Sequence, residues 1–358
     1  MTALTVVPPP GEPRLGGLPD DLPPELIATE PIEATGLRRD AVRLLVAHRD
    51  TGQLVHTRFA RLPEHLRAGD VLVINTSATL PAAVPAAGGR LVHLSTELPG
   101  GLWVVELRRS AGSGSRPFLD AEVGEAVRMA GGASAELLAP FPADARPGQQ
   151  RLWISRLELP LGLHAYLAEH GRPIRYGDAA GSWPLSAYQT VFALQAGSAE
   201  MPSAARGFTP ELVTDLVAHG VELVPIVLHT GVSSQEAGEP PYPERFSVST
   251  ASAARINAAR HDGRRVITVG TTATRAVETA ADEHGTVHPA AGWTERVITP
   301  ADGVRVTDGL ITGWHEPTAS HLLLLEAVAG RATVEASYAA AVADGYRWHE
   351  FGDLHLVL

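Results

Sequence analysis

Apolar positions along the chain change texture twice. Up to about residue 80, and again from about residue 155, compact apolar runs alternate with stretches of helical spacing. The runs GDVLVINTS (69–77), VELVPIVLHTG (221–231) and RRVITVG (264–270) predict buried strands. LPPELIATEPI (22–32), LGLHAYLAEHG (161–171), TPELVTDLVAHG (209–220) and SVSTASAARINAARHDG (247–263) predict helices. Thr209 suits an N-cap, Pro210 the first turn and Gly220 the carboxyl end. The stretch 42–66 reads as strand, Asp-Thr-Gly turn, strand and helix start. Alternating strands and helices imply a largely parallel sheet covered on both faces.

From about 82 to 154 the pattern is different: short β-like pieces separated by Gly, Pro and Ser turns. That texture predicts a small β-barrel or sandwich set into the α/β chain. The expected organisation is therefore a Pro/Gly-rich disordered tail over 1–18, a discontinuous α/β domain over 19–80 and 155–358, and an inserted β-domain over 81–154.

Composition matters chiefly through what is missing. The chain has no cysteine and no lysine, so all 29 of its basic residues are arginine. Thiol nucleophiles, disulfides, cysteine metal sites, Schiff bases and Walker-A chemistry are excluded. The histidines show no zinc-type spacing, so no metal site is expected. The net charge of −11 argues against an indiscriminate nucleic-acid binder, so any RNA contact would rest on a local arginine cluster such as Arg38, Arg39 and Arg43. No apolar run reaches membrane-spanning length and the N-terminus lacks a secretory pattern, so the cytoplasm is the expected location.

Three segments carry candidate chemistry. In RVITVGTTATRAVETA (265–280), a strand, a Gly-Thr-Thr turn and a helix would present free N–H groups to an anion. Thr271 or Thr272 would cap that helix, and Arg275 would grip the anion one turn later. Many strand–helix junctions are capped with no ligand in sight. His229 leaves a strand on the ligand side of the expected sheet, and His315 lies between an apolar strand and a proline-bounded turn. Either is a candidate for proton transfer or a structural imidazole.

Taken in order, LPPELIA, the Arg39–Leu45 stretch R-x-x-x-R-L-L, GDVLVIN, YQTVF, LHTG, RVITVGTTATRAVE, D-x-L-I-T-x-W-H-x-P and YRWHEFGD resemble the S-adenosylmethionine:tRNA ribosyltransferase-isomerase family. The resemblance runs from about Leu22 to the C-terminus and implies a three-layer α/β sandwich with an inserted small β-barrel. It implies transfer and isomerisation of the ribosyl part of S-adenosylmethionine onto 7-aminomethyl-7-deazaguanine in the tRNA anticodon loop, giving epoxyqueuosine, adenine and methionine. S-adenosylmethionine would be the co-substrate, with no metal or further cofactor and no obligate protein partner. The implied roles place His229 and His315 as proton carriers, and Thr271, Thr272 and Arg275 on the methionine carboxylate or ribose. Asn75 and Asp308 would bind polar ligand groups, Tyr188 and Gln189 the deazaguanine, and Arg39 and Arg43 the RNA phosphates.

The chain departs from the family pattern in several places. Ala78 and Ala83 stand where arginines are usual, Arg206 and Gly207 where Leu and His are expected, and Tyr242 in place of a histidine. These losses leave two other readings open: a paralogue acting on a small-molecule acceptor or as a sulfonium lyase, and a non-catalytic binding protein.

Overall fold

The structure is a computed structural model that describes residues 22–111, 114–143, 150–175, 181–232, 241–317 and 319–358. The expected tail over 1–18 lies outside the described residues. The fold is mixed α/β. Its main body is a nine-stranded sheet in the order Ala290–Thr294, Glu244–Val248, Glu222–His229, Val71–Asn75, Val266–Val269, Gly309–Gly313, Leu354–Val357, Arg43–His48, Gln53–Arg58. The four strands from Glu222–His229 to Gly309–Gly313 run parallel, and antiparallel neighbours flank them.

The central strand Val71–Asn75 is buried along its whole length, because its side chains alternate between two covered faces. Leu72 and Ile74 join Phe59, Phe208, Leu212 and Leu216 on one face. Val71 and Val73 join Ile256, Ala273 and Val277 on the other. Further along that second face, Leu45 and Leu310 pack with Leu322, Leu325, Tyr338 and Trp348 from the C-terminal helices. Each leucine-sized side chain so buried contributes roughly 1.5–3 kcal/mol.

Several sequence expectations change at this level. The stretch 22–32 is not one helix but two short 3-10 turns, Pro24–Leu26 and Ile32–Thr35, since Pro23, Pro24 and Pro31 interrupt the backbone ladder. The expected helix over 247–263 narrows to Thr250–His261, because Ser247 and Val248 complete an edge strand. Thr209 does cap helix Pro210–Ala218: its hydroxyl accepts the Leu212 N–H at 3.2 Å. Gly220 follows that helix at φ 82°.

The region that changed texture forms its own seven-stranded antiparallel sheet, from Ala83–Ala86 to Leu152–Glu158. An isolated bridge between Ala86 and Met129 links its two outer strands. Its interior holds Val92, Leu94, Leu107, Val127 and Leu137, and also a buried charge cluster. Glu106 accepts from Arg108 at 2.7 Å and from Arg151 at 2.8 Å, and its other oxygen lies 3.2 Å from His93 Nδ1. Burial alone would raise the Glu106 pKa, but the hydrogen bond and charge of His93 and the two arginines outweigh it and lower it to about 2.

Candidate active site

A cavity of about 580 Å³ opens beyond the carboxyl ends of the parallel strands, the place where open α/β sheets bind ligands. Three of the four parallel strands deliver residues to it. Strand Glu222–His229 continues into Thr230, Gly231 and Val232; strand Val266–Val269 into Gly270, Thr271 and Thr272; strand Gly309–Gly313 into Trp314, His315 and Glu316. Segment 200–204, the start of helix His321–Ala329, and His349 with Glu350 complete the wall.

Gly270, at φ 90°, turns the chain from strand into helix Thr271–Ala280, and a Cβ there would stand 3.3 Å from Ala204 Cβ. Gly270 is itself the N-cap, and no side chain caps the helix; this corrects the expectation that a threonine hydroxyl does so. The N-terminal end of this helix thus stays open to an acceptor beside Thr271 and Thr272. Asn75 sits behind this turn, wholly buried. Its Oδ1 accepts from Ser77 N and Leu228 N, both at 3.0 Å, and its Nδ2 donates to Leu228 O at 2.8 Å. It clamps two strands and reaches the Thr272 hydroxyl at 3.4 Å rather than lining the cavity.

Arg275 lines the cavity, yet its donors are engaged by the protein. Nε donates to Arg296 O at 2.9 Å, Nη1 to Tyr242 O at 2.9 Å and Glu244 Oε2 at 2.6 Å, and Nη2 to Thr294 O at 3.2 Å. It braces two segments, 242–244 and 294–296, and no free fork faces a ligand. Glu244 also accepts the Gly231 N–H at 3.3 Å.

The two expected imidazoles separate. His315 lines the cavity, with Nε2 3.0 Å from Thr312 Oγ1 and its ring stacked on His321 at 4.6 Å and 6°. Burial lowers both pKa values, that of His321 to about 4 and that of His315 well below the ordinary range, so the pair is neutral at pH 7. His229 instead lines a smaller cavity of about 140 Å³ with Thr96, Trp103, His164 and Arg245. Its Nδ1 lies 2.7 Å from Ser77 Oγ, which lies 2.6 Å from Ser198 Oγ. Burial, then the charge of Arg245, lowers its pKa to about 4.

Other expected contacts lie elsewhere. Asp308 accepts the Val266 N–H at 2.8 Å, at the amino ends of the strands, the far pole from the cavity. Tyr188 is buried against Phe351, and Gln189 forms a two-way bridge with the Thr79 backbone, so neither lines the cavity. Arg39 donates to Glu33, Gln189 O and Ser186 O. Arg43 donates to Asp344 O and lies 3.8 Å from the Tyr346 ring centroid. Arg39 thus has all three guanidinium nitrogens engaged within the fold, whereas Arg43 commits only Nη1 to a backbone carbonyl. Among the described residues no group of three His, Asp or Glu side chains is placed to hold a metal. No described helix is long and apolar enough to cross a membrane.

The cavity also contains residues that pattern reading passed over: His321, Glu200, Glu350 and Arg296. His321 opens the first helix after the GWHEP turn, where a histidine reads as an ordinary first-turn residue. Glu350 stood in plain view within YRWHEFGD, but nothing in the spacing said which of its side chains line the cavity.

A family model described as queuosine biosynthesis protein matches residues 20–357. The chain belongs to that family. Among its relatives, S-adenosylmethionine:tRNA ribosyltransferase-isomerase of Moorella thermoacetica is 36% identical, over 94% of this chain and 98% of the relative. The protein of the same name from Symbiobacterium thermophilum is also 36% identical, over 96% of this chain and 100% of its own length. The crystal structure of S-adenosylmethionine tRNA ribosyltransferase from Thermotoga maritima superposes with a TM-score of 0.52 at 28% identity, covering 94% of this chain and 98% of that one. Within the queuosine biosynthesis family, the departures of this chain acquire local explanations. Arg206, for example, chelates Glu33 at 2.8 and 2.9 Å.

Proposed function

We propose that this member of the family transfers and isomerises the ribosyl moiety of S-adenosylmethionine onto 7-aminomethyl-7-deazaguanine in tRNA. Epoxyqueuosine forms, and adenine and methionine leave. The observation that carries the reading is the cavity at the parallel strand ends, with the uncapped helix start at Thr271 on one side and the neutral His315–His321 stack on another. The methionine carboxylate belongs at that helix start, where backbone N–H groups and the macrodipole favour an anion. The neutral imidazoles give hydrogen bonds to ribose or base without repelling the sulfonium cation.

The chemistry asks for few tools. A sulfonium makes the neighbouring C5′ hydrogen acidic and makes the thioether a leaving group. The protein supplies a base, a polar cradle and exclusion of water. The tRNA anticodon loop is the expected acceptor; Arg39 is not assigned to its phosphates because its donors are engaged internally, and Arg43, with only Nη1 on a carbonyl, is kept as a phosphate contact. His229, outside the main cavity, is assigned to positioning of strand Glu222–His229. Helices against both faces of the main sheet support a three-layer α/β sandwich over 19–80 and 155–358, and the Ala86–Met129 bridge supports an inserted barrel over 81–154. A tRNA-modifying role fits the cytoplasm.

Incubation with S-adenosylmethionine and tRNA bearing the aminomethyl base tests this. Free adenine and methionine should appear together with modified tRNA, and none of them without tRNA. Adenine release that needs no RNA would favour a small-molecule acceptor or a lyase instead.

A further inference from the structure

Four acids line the cavity, and three of them have partners: Glu244 pairs with Arg275 at 2.6 Å, Glu316 pairs with the His349 imidazole at 3.0 Å, and Glu200 is engaged as well. Glu350 stands apart. Among the described residues no donor and no cation meets its carboxylate, and the largest charge acting on it is that of another acid, Glu200. Arg206 is the cation alongside, but it is tied elsewhere. Its Nη2 chelates Glu33, its Nε donates to Ala187 O at 3.0 Å, and its guanidinium lies 4.8 Å from the Phe351 ring centroid.

The backbone holds Glu350 in this unfavourable position. His349, at φ 72°, is the one described non-glycine residue with positive φ. Its carbonyl accepts the Gly352 N–H at 2.9 Å, and Trp348 before it is anchored to Leu26 O at 2.7 Å and to His315 O at 3.0 Å. Strain retained beside a cavity, in a turn anchored on both sides, is characteristic of a site that needs its geometry.

Burial first, and the Glu200 charge second, push the Glu350 pKa up to about 8, with Arg206 opposing. The groups facing it are Glu200, Arg206 and Tyr188, with the His349–Glu316 pair on its own turn. The stacked imidazoles of His315 and His321 lie at the other extreme, too weakly basic to take up a second proton at neutrality. Glu350, which has no donor or cation on its carboxylate, is therefore a carboxyl of this cavity that holds a proton at rest.

We infer that Glu350 is the acceptor of the substrate's C5′ proton, and that a sulfonium cation entering beside Glu200 and Glu350 drives off the proton Glu350 carries at rest. The inference rests on the functional reading above. A positive charge within a few ångströms favours the carboxylate, so the ligand itself creates the base. On entry, the Glu350 O–H breaks and the proton leaves to solvent. The C5′–H bond then breaks, its electron pair stays on the carbon next to sulfur, and the proton passes to a Glu350 oxygen. No oxidant or reductant is involved. A base with proton affinity matched to the working pH is the efficient choice.

Calorimetric titration at pH 7, in two buffers of different ionisation enthalpy, counts the protons. S-adenosylmethionine should expel about one proton per ligand from the native protein. S-adenosylhomocysteine, its neutral thioether counterpart, should expel none. Glu350→Gln should bind the sulfonium, release no more than the thioether does, and lose turnover on the order of 10²-fold or more. Glu200→Gln should bind and show reduced release, and it carries the test if Glu350→Gln fails to fold by thermal melting. Equal release with both ligands, or release undiminished by either substitution, overturns the inference and leaves the sulfonium site standing. No binding of S-adenosylmethionine by native protein overturns the functional reading and the inference together.

Discussion

At position 207 the space for one methyl group decides what the chain can accept. A Cβ on Gly207 would lie 2.8 Å from Phe59 Cδ1 and 3.0 Å from Leu354 Cδ1, both in the packed core of one sheet face. The histidine expected from the family pattern has no room here. Gly207→Ala should cost roughly 1–3 kcal/mol in chemical denaturation, and a neutral result would mean the core is slacker than it looks. The departure was legible in the sequence, but its reason was not, because that reason lies in two side chains about 150 positions away on either side. Buried histidines give a second prediction at this scale. His355 is wholly buried and stacked on Trp314 at 4.8 Å, and neither ring nitrogen has a partner. Burial lowers its pKa from 6.5 to about 3, and that of His321 from 6.5 to about 4. The unfolded chain therefore binds protons that the folded one refuses. Stability is complete above pH 6.5 and falls as pH drops toward the folded values, by about 2 kcal/mol per histidine at pH 5. His355→Phe should flatten that acid slope in denaturation curves taken from pH 7 to 5; an unchanged slope would assign the effect elsewhere.

Among elements, helix Thr271–Ala280 does most to shape the site. That a helix follows the strand and glycine was legible because those signals are local, although its cap is Gly270 and not a threonine. Its far end was not, since Glu278 works at long range. That buried carboxylate accepts the N–H groups of Arg305, Val306 and Thr307 at 2.8–3.0 Å and the Thr307 hydroxyl at 2.9 Å. It thereby pins the connection that runs from the cavity wall at Ile298 to strand Gly309–Gly313. Glu278→Gln sets an amide donor against one of these N–H groups and should cost about 1–3 kcal/mol. Amide exchange at 305–307 should accelerate more than exchange in strand Val71–Asn75. Equal acceleration would mean global destabilisation and no special hold on this loop. Asp308 illustrates the same limit. Its motif announced a functional region, but residue type alone did not say whether its carboxylate turned to the ligand or to the Val266 N–H.

For the whole molecule, two textures were visible in the sequence, alternating strands and helices and a β-rich stretch between them, and they form separate sheets. Which pole of the sheet holds the ligand followed from strand direction, a topological fact that needs the assembled sheet. The arginine clusters were harder to place, because a guanidinium answers to whichever carbonyls and carboxylates folding brings near. Arg39 and Arg43 found partners inside the protein. The central claim is that a sulfonium nucleoside occupies the cavity at the carboxyl ends of the parallel strands. Gly313 lines that cavity in ordinary backbone geometry, and the nearest atom to a Cβ there is Ser203 Oγ at 3.9 Å. A larger side chain would therefore enter the cavity without straining the fold. The direct measurement is calorimetric titration of S-adenosylmethionine into native protein and into Gly313→Leu with an unchanged melting temperature. Binding to the native protein, weakened about tenfold or more in the variant, equivalent to at least about 1.4 kcal/mol, is the predicted result. Equal affinity in the two proteins would contradict it.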